Sequence, residues 1–173
     1  GMQAIALGQA TFANGENTLA LGSYASVHGE NSLAIGTDTF VGKVSRGANE
    51  KGVSETGDKT TFAVAIGFNA KTYGNASVSL GKQAQADSLH SVVLGESSLS
   101  KEGDNTNTTA YLTNDAVNNA GNGVVSIGNA DSNVTRRIIN VAGGTNDTDA
   151  VNVKQLKALE TKSVQKFLSI NGA

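Results

Sequence analysis

The chain has 173 residues with no Cys, Pro or Trp, a formal charge of −2, and only 5% aromatic residues against 21 glycines. That composition excludes a disulfide scaffold and thiolate chemistry, and it offers no Lys/Arg stripe for nucleic acid. A large globular core is also hard to build from it, so a thin core completed by association between chains is expected.

Gly1 before Met2 reads as an expression scar on an excised fragment, with any leader or anchor expected outside it. No apolar run approaches the length of a membrane span. Almost at once a short phrase begins, a few apolar residues closed by glycine, and it returns along the chain. Its glycines are Gly8, Gly22, Gly36, Gly67, Gly81, Gly95 and Gly128, with steps of 14, 14, 31, 14, 14 and 33. Seven residues after the phrase glycine comes a second break, at Gly15, Gly29, Gly74 and Ser88. Three residues beyond that stands a small hydroxyl residue: Thr18, Ser32, Ser77 or Ser91. Two short runs per period, each ended by a turn residue, predict two strands and two corners. Fourteen residues cannot fold alone, but stacked copies share a core and pair strand on strand, so the period predicts a solenoid.

The seven phrase glycines are assigned to repeat turns, where glycine takes φ > 0 without steric cost. Inside the phrase the order is large, small, large, as in Leu19-Ala20-Leu21, and alternation puts the two sizes on opposite faces. The expectation is that the large residues fill the coil and the small ones face a neighbouring subunit.

Two steps exceed the period, by 17 and by 19 residues (31 − 14 and 33 − 14). The first excess is mixed in charge and rich in turns between Lys43 and Lys59; the second holds Lys101-Glu102-Gly103-Asp104 and Asn105-Thr106-Asn107-Thr108-Thr109. Both are expected as loops thrown out of a head domain of residues 2–135, at about 37–62 and 96–123. A degenerate second coil is the alternative for the first.

From Arg136 the phrase disappears, and residues 136–156 read as a neck. Thr148 or Asp149 can cap a helix whose first turns hold Val151, Val153, Leu156 and Leu159. Neither heptad frame is clean: one runs through Asn152, Leu156, Leu159 and Ser163, the other through Val153, Leu156, Glu160 and Ser163. Such a helix needs partners. Residues 157–173 read as the start of a stalk or of a further segment.

Catalytic constellations are missing from the sequence. His28 and His90 are the only histidines and are expected on coil surfaces. Asp104-Asn105-Thr106-Asn107 and Asp131-Ser132-Asn133 lack the Gly and terminal Glu of a calcium loop. No enzyme activity, cofactor or metal is expected.

Asn31-Ser32-Leu33-Ala34-Ile35-Gly36 resembles the head repeat of the trimeric autotransporter adhesins of Gram-negative bacteria, the YadA-like type. Ile138-Ile139-Asn140-Val141-Ala142-Gly143-Gly144, followed by Asp149-Ala150-Val151-Asn152-Val153 and Gln155-Leu156, is similar to the neck of the same family. The resemblance covers nearly the whole chain, with departures at Ala76, Ser88, His90 and the two insertions. It implies an all-β, left-handed parallel β-roll, homotrimeric, running through the neck into a short α-helical coiled-coil start. It also implies trimerisation through Ile138, Ile139, Asn140, Val141, Asp149, Ala150, Val151, Asn152, Val153 and Leu156. A bacterial cell-surface location follows, anchored in the outer membrane by a C-terminal domain outside this fragment. The implied partners are the chain itself and a host extracellular-matrix protein or cell surface, with no nucleic acid and no membrane contact by this segment. The head is then adhesive, or a spacer that projects another domain. Lys166–Asn171 resembles the start of a following head-type segment.

Overall fold

Each fourteen-residue period forms one coil, a longer strand and a shorter strand joined by two corners. The computed structural model describes residues 2–43, 60–104, 109–110, 112, 115 and 122–170. The longer strands are β1 (Ile5–Leu7), β3 (Leu19–Leu21), β5 (Leu33–Ile35), β7 (Val64–Ile66), β9 (Val78–Leu80), β11 (Val92–Leu94) and β13 (Val125–Ser126), and they form one sheet in that order. The shorter strands form the other sheet: β2 (Phe12–Ala13), β4 (Ser26–Val27), β6 (Phe40–Val41), β8 (Lys71–Thr72), β10 (Gln85–Ala86) and β12 (Leu99–Ser100). Every pairing is parallel and joins equivalent residues, for example Leu19↔Leu33 and Ala20↔Ala34. The expected all-β parallel solenoid is therefore what this sequence builds. Six steps of about 4.8 Å make the longer sheet roughly 29 Å tall.

The insertions leave the stack in register. Leu33 of β5 pairs directly with Val64 of β7, and Phe40 of β6 with Lys71 of β8. Direct pairing rules out a second coil between β5 and β7. The expected ranges 37–62 and 96–123 were drawn too wide, because β6 and β12 inside them are coil strands paired on both sides or at the sheet end. Residues 44–59, 105–108, 111, 113–114 and 116–121, including Arg46, Glu50, Lys51, Glu55, Asp58, Lys59 and Asn105, lie outside the described residues.

The orientation of the repeat phrase is the reverse of the expectation. Ala20, Ala34, Ala65, Ser79 and Val93 have 0% exposure, whereas the large residues beside them, such as Leu21 (37%) and Leu80 (36%), lie on the outer face. The reason is width. Facing them inside the coil are Val27, Val41, Thr72, Ala86 and Ser100, all buried as well. Two sheets joined by such short corners enclose room for Ala, Ser, Thr and Val, and two leucines per turn would overpack it.

Buried hydroxyls earn their place through hydrogen bonds. Ser32 Oγ accepts the Ala63 N–H at 3.1 Å, Ser77 Oγ that of Ser91 at 3.0 Å, and Ser91 Oγ that of Val124 at 3.0 Å. Three of the four small hydroxyl residues past the break thus tie their coil to the next, whereas Thr18 Oγ1 donates to Gly15 O in its own. Inside the coil, Thr72 Oγ1 donates to Val64 O and Ser79 Oγ to Lys71 O, each at 2.8 Å, bridging the two sheets.

At Gly22, φ is +132°, and a Cβ would lie 2.5 Å from the Gly36 carbonyl oxygen of the next coil. Gly128 differs from the other six phrase glycines: its φ is not among the positive ones, and a Cβ there would meet Val134 O at 2.3 Å. Its requirement is one of space.

A second left-handed position recurs every seven residues and is not glycine. Asn17 (φ 52°), Tyr24 (60°), Asn31 (51°) and Asp38 (56°) hold it, and Asn69, Ala76, Gln83, His90 and Ser97 continue the series. Asn and Asp tolerate this torsion and Ala does not, at a cost of about 1–2 kcal/mol. Ala76→Asn is accordingly expected to stabilise the roll by roughly 1 kcal/mol. A thermal unfolding midpoint that fails to rise would show that Ala76 carries no such strain.

Arg136 closes the last coil. Its guanidinium donates to Ile127 O at 2.6 Å, Glu96 O at 2.5 Å and Ser98 Oγ at 2.8 Å. At Gly95 a Cβ would meet this guanidinium, where at Gly22 it would meet the next coil. The arginine stands where another coil would stack.

The chain divides into two units, Gly1–Arg136 and Arg137–Ala173. The second holds the helix α1 (Val153–Ile170). Its cap is Asn152, not Thr148 or Asp149. Asn152 Oδ1 accepts the Gln155 N–H at 3.1 Å, and Gln155 Oε1 accepts the Asn152 N–H at 3.2 Å, a reciprocal capping box. Of the Lys166–Asn171 stretch, Lys166–Ile170 continue this helix instead of opening a new head-type segment, and Asn171 lies outside the described residues.

Candidate functional site, an apolar sheet face and a neck

The outward side of the longer sheet carries two apolar columns. Leu19, Leu33, Val64, Val78 and Val92 stack in register in one, and Leu21, Ile35, Ile66, Leu80 and Leu94 in the other. Ile5 and Leu7 extend them at one end, 61% and 65% exposed, and Val125 extends the first at the other, 69% exposed. Each side chain is covered partly by its neighbours above and below, and the rest faces outward. Scattered apolar residues on a surface need no explanation, but a charge-free face of two columns, seven and six side chains tall, does.

In the second unit, the residues expected to trimerise sit in two settings. Ile138, Ile139, Val151, Val153 and Leu156 are exposed, as is Ala150. Asn140 is also exposed, at φ 61°. Val141 and Asn152 are half-buried and joined, Asn152 Nδ2 donating to Val141 O at 3.1 Å. Gln155 adds a second tie, since its side chain exchanges two hydrogen bonds with the Gly144 backbone, at 3.0 and 2.9 Å. These amides hold the extended neck segment against the helix start. Leu156, Leu159, Val164 and Ile170 are exposed along the helix.

Asp149 pins a turn. Its Oδ2 accepts the Thr145 and Asn146 N–H groups at 2.9 and 3.0 Å. Those backbone bonds hold its carboxyl below the usual carboxylate value of 3.8. A depressed carboxylate stabilises the fold above its unfolded pKa, and the contribution is lost as pH falls through the folded value. Amide-exchange protection at Thr145 and Asn146, relative to the free-peptide rate, is expected to fall as pH drops below 3.8 and to be low at every pH in Asp149→Ala. Protection unchanged by the substitution would remove this role.

His90 is exposed at a left-handed corner. His28 is half-buried on the outer side of the shorter sheet, 2.5 Å from Ser26 Oγ. Among the described residues no group of three or more His, Cys, Asp or Glu side chains gathers to hold a metal. No helix among them is long and apolar enough to cross a membrane.

Sequence reading missed three of these features. Asn152 and Gln155 carried the signal of a capping box in their spacing. The seven-residue corner could have been seen in Asn17, Asn31, Asp38 and Asn69. The Arg136 closure had no sequence signal.

Comparison with known proteins agrees with this geometry. The model of the YadA head domain repeat matches residues 1–25, 13–39, 61–84 and 73–98, and that of the coiled stalk of trimeric autotransporter adhesin matches residues 137–173. The autotransporter adhesin EhaG of Escherichia coli O157:H7 is 39% identical over 116 residues, which is 66% of this chain and 7% of that protein. The autotransporter adhesin BadA of Bartonella henselae is 68% identical over 37 residues, 21% of this chain and 1% of that protein. The crystal structure of the collagen-binding domain of the Yersinia adhesin YadA superimposes with a TM-score of 0.56 at 28% identity, covering 91% of this chain and 75% of that one.

Proposed function

Since the chain belongs to the trimeric autotransporter adhesins, as head repeats followed by neck and stalk, we propose that three copies assemble into a rigid adhesive head. The observation that carries this is the apolar face of the longer sheet. Three rolls would bury these large-residue columns against one another, not the small-residue faces that alternation alone suggested. The neck then ties the trimer, through Ile138, Ile139, Asn140, Val141 and Asp149–Val153, and Leu156 and Leu159 begin the coiled coil. Residues 2–135 act as head, 136–156 as neck and 157–173 as the stalk start.

The attachment target is a host extracellular-matrix protein or cell surface, met by a threefold, repetitive surface on an outer-membrane-anchored fibre. Weak contacts repeated on one rigid body gain strength through effective concentration. No chemistry on the ligand is involved.

Light scattering on the fragment across a concentration range tests the assembly. A mass three times the chain's 17.6 kDa supports it, and a monomer at every concentration overturns self-association by this segment. The short span of this chain within EhaG and BadA favours a second reading, a spacer that projects another adhesive domain. Beads coated with the trimer distinguish the two: attachment to cells or matrix supports an adhesive head, and inert beads favour the spacer.

A further inference from the structure

Among the described residues the coil interior holds no aromatic side chain, yet the outer side of the shorter sheet gathers them. The chain has five Phe and three Tyr in all. Phe12, Tyr24, Phe40, Phe68 and Tyr73 line a single cavity of about 770 Å³ spanning four successive coils. Five of the chain's eight aromatic residues in one groove, none of those five filling the core, points to an outward role.

Register makes a slot within that groove. Phe12, Ser26, Phe40 and Lys71 form one outward column. Ser26 is the small member, so Phe12 and Phe40 stand two strand spacings apart, about 9–10 Å, with a hydroxyl between them. Gly42 leaves room beside the second ring, where a Cβ would lie 3.3 Å from Phe40 Cζ. His28 borders the slot, its ring centroid 5.5 Å from that of Phe40, which is in turn 5.7 Å from Tyr73. Asn14 Nδ2 donates to His28 Nδ1 at 3.3 Å, leaving Nε2 to donate to Ser26 Oγ. Burial pushes the His28 pKa down, so the imidazole is neutral near pH 7. The charged residues of the lining are one carboxylate, Asp38, and one ammonium, Lys71.

We propose that this groove binds a neutral oligosaccharide, with one pyranose ring seated between Phe12 and Phe40. A pyranose presents a face of C–H bonds that packs on an aromatic ring, and a rim of hydroxyls that needs hydrogen-bond partners. The lining supplies both kinds of surface, with Asn14, Asn69 and Asp38 for the rim. A purely apolar ligand would desolvate those polar groups without pairing them. Sulfated or sialylated glycans and single-stranded nucleic acid call for a cluster of cations, and Lys71 stands opposite Asp38 in the balance. The volume lies within the range of small-ligand sites. This assignment rests on the adhesive reading of the head and gives it a ligand class.

Saturation-transfer NMR of the fragment with lactose, maltose and cellobiose at millimolar concentration tests it. Transfer to the ring protons of at least one sugar is expected. Binding should weaken about tenfold in Phe12→Ala, the loss of one stacked ring, and should also fall in Tyr24→Ala, which removes a second ring from the groove lining. These side chains are 55% and 49% exposed, so the melting point should hold. No transfer from any of the three, or transfer that persists undiminished in both variants, overturns the assignment. Binding of a proline-rich peptide in their place would overturn it too, since extended proline helices also dock in aromatic grooves. Failure here leaves bead attachment intact as a finding. Inert beads with sugar binding preserved would sink the adhesive reading alone.

Discussion

Gly22→Val is expected to lower the stability of the roll by about 3–5 kcal/mol, the combined cost of a strained torsion and an overpacked contact. The first part comes from φ = +132°, which a β-branched residue strongly resists. The second comes from the next coil, because the new Cβ would sit 2.5 Å from Gly36 O and 2.6 Å from Gly36 C. Neither atom belongs to a flexible side chain, so the coils themselves must separate. Gly22→Ala should already show most of the loss, since the β-carbon is what collides. Equilibrium denaturation of the two variants checks this, and an unfolding midpoint at the parent value in both would disprove the close approach.

Ile35→Glu is expected to convert the proposed trimer into folded monomers. Ile35 lies in the middle of an outward apolar column, paired in register with Leu21 and Ile66. Its side chain is half-exposed in a single chain and contributes nothing to the coil interior, so the roll should keep its circular dichroism spectrum, while the melting point falls by what association contributes. In a threefold interface the same position would bury three carboxylates without cations, at about 3 kcal/mol or more each. Light scattering reads the outcome directly. A variant that remains trimeric at every concentration would show that this face is not the interface.

The period, the corner glycines and the neck phrase were legible because each is a local requirement repeated at fixed spacing. Which side of the strand faces inward was not. Leu19-Ala20-Leu21 announces two faces, but only the distance between the sheets decides that Ala20 goes in and both leucines go out. A coil closed by such short corners is narrower than the pattern of any one strand reveals. The seven-residue corner was obscured for another reason: Asn17 and Asn31 fit its torsion, while Tyr24, Ala76 and His90 endure it. In the neck, Thr148 and Asp149 both looked like caps by residue type. The capping box at Asn152 and Gln155 won because it satisfies two backbone groups at once and lets Gln155 hold Gly144 as well.

Because the inserted residues enter after β6 and return before β7 without shifting any pairing, the height of this head is independent of most of what is inserted into it. It changes only when a whole period is gained or lost, in graduations of about 4.8 Å. Arg136 fixes the zero of that scale at the neck end, since a guanidinium already occupies the surface where a further coil would stack. A relative with a longer head must therefore lengthen it upstream of the last coil, and the length of the roll is then quantised in whole coils.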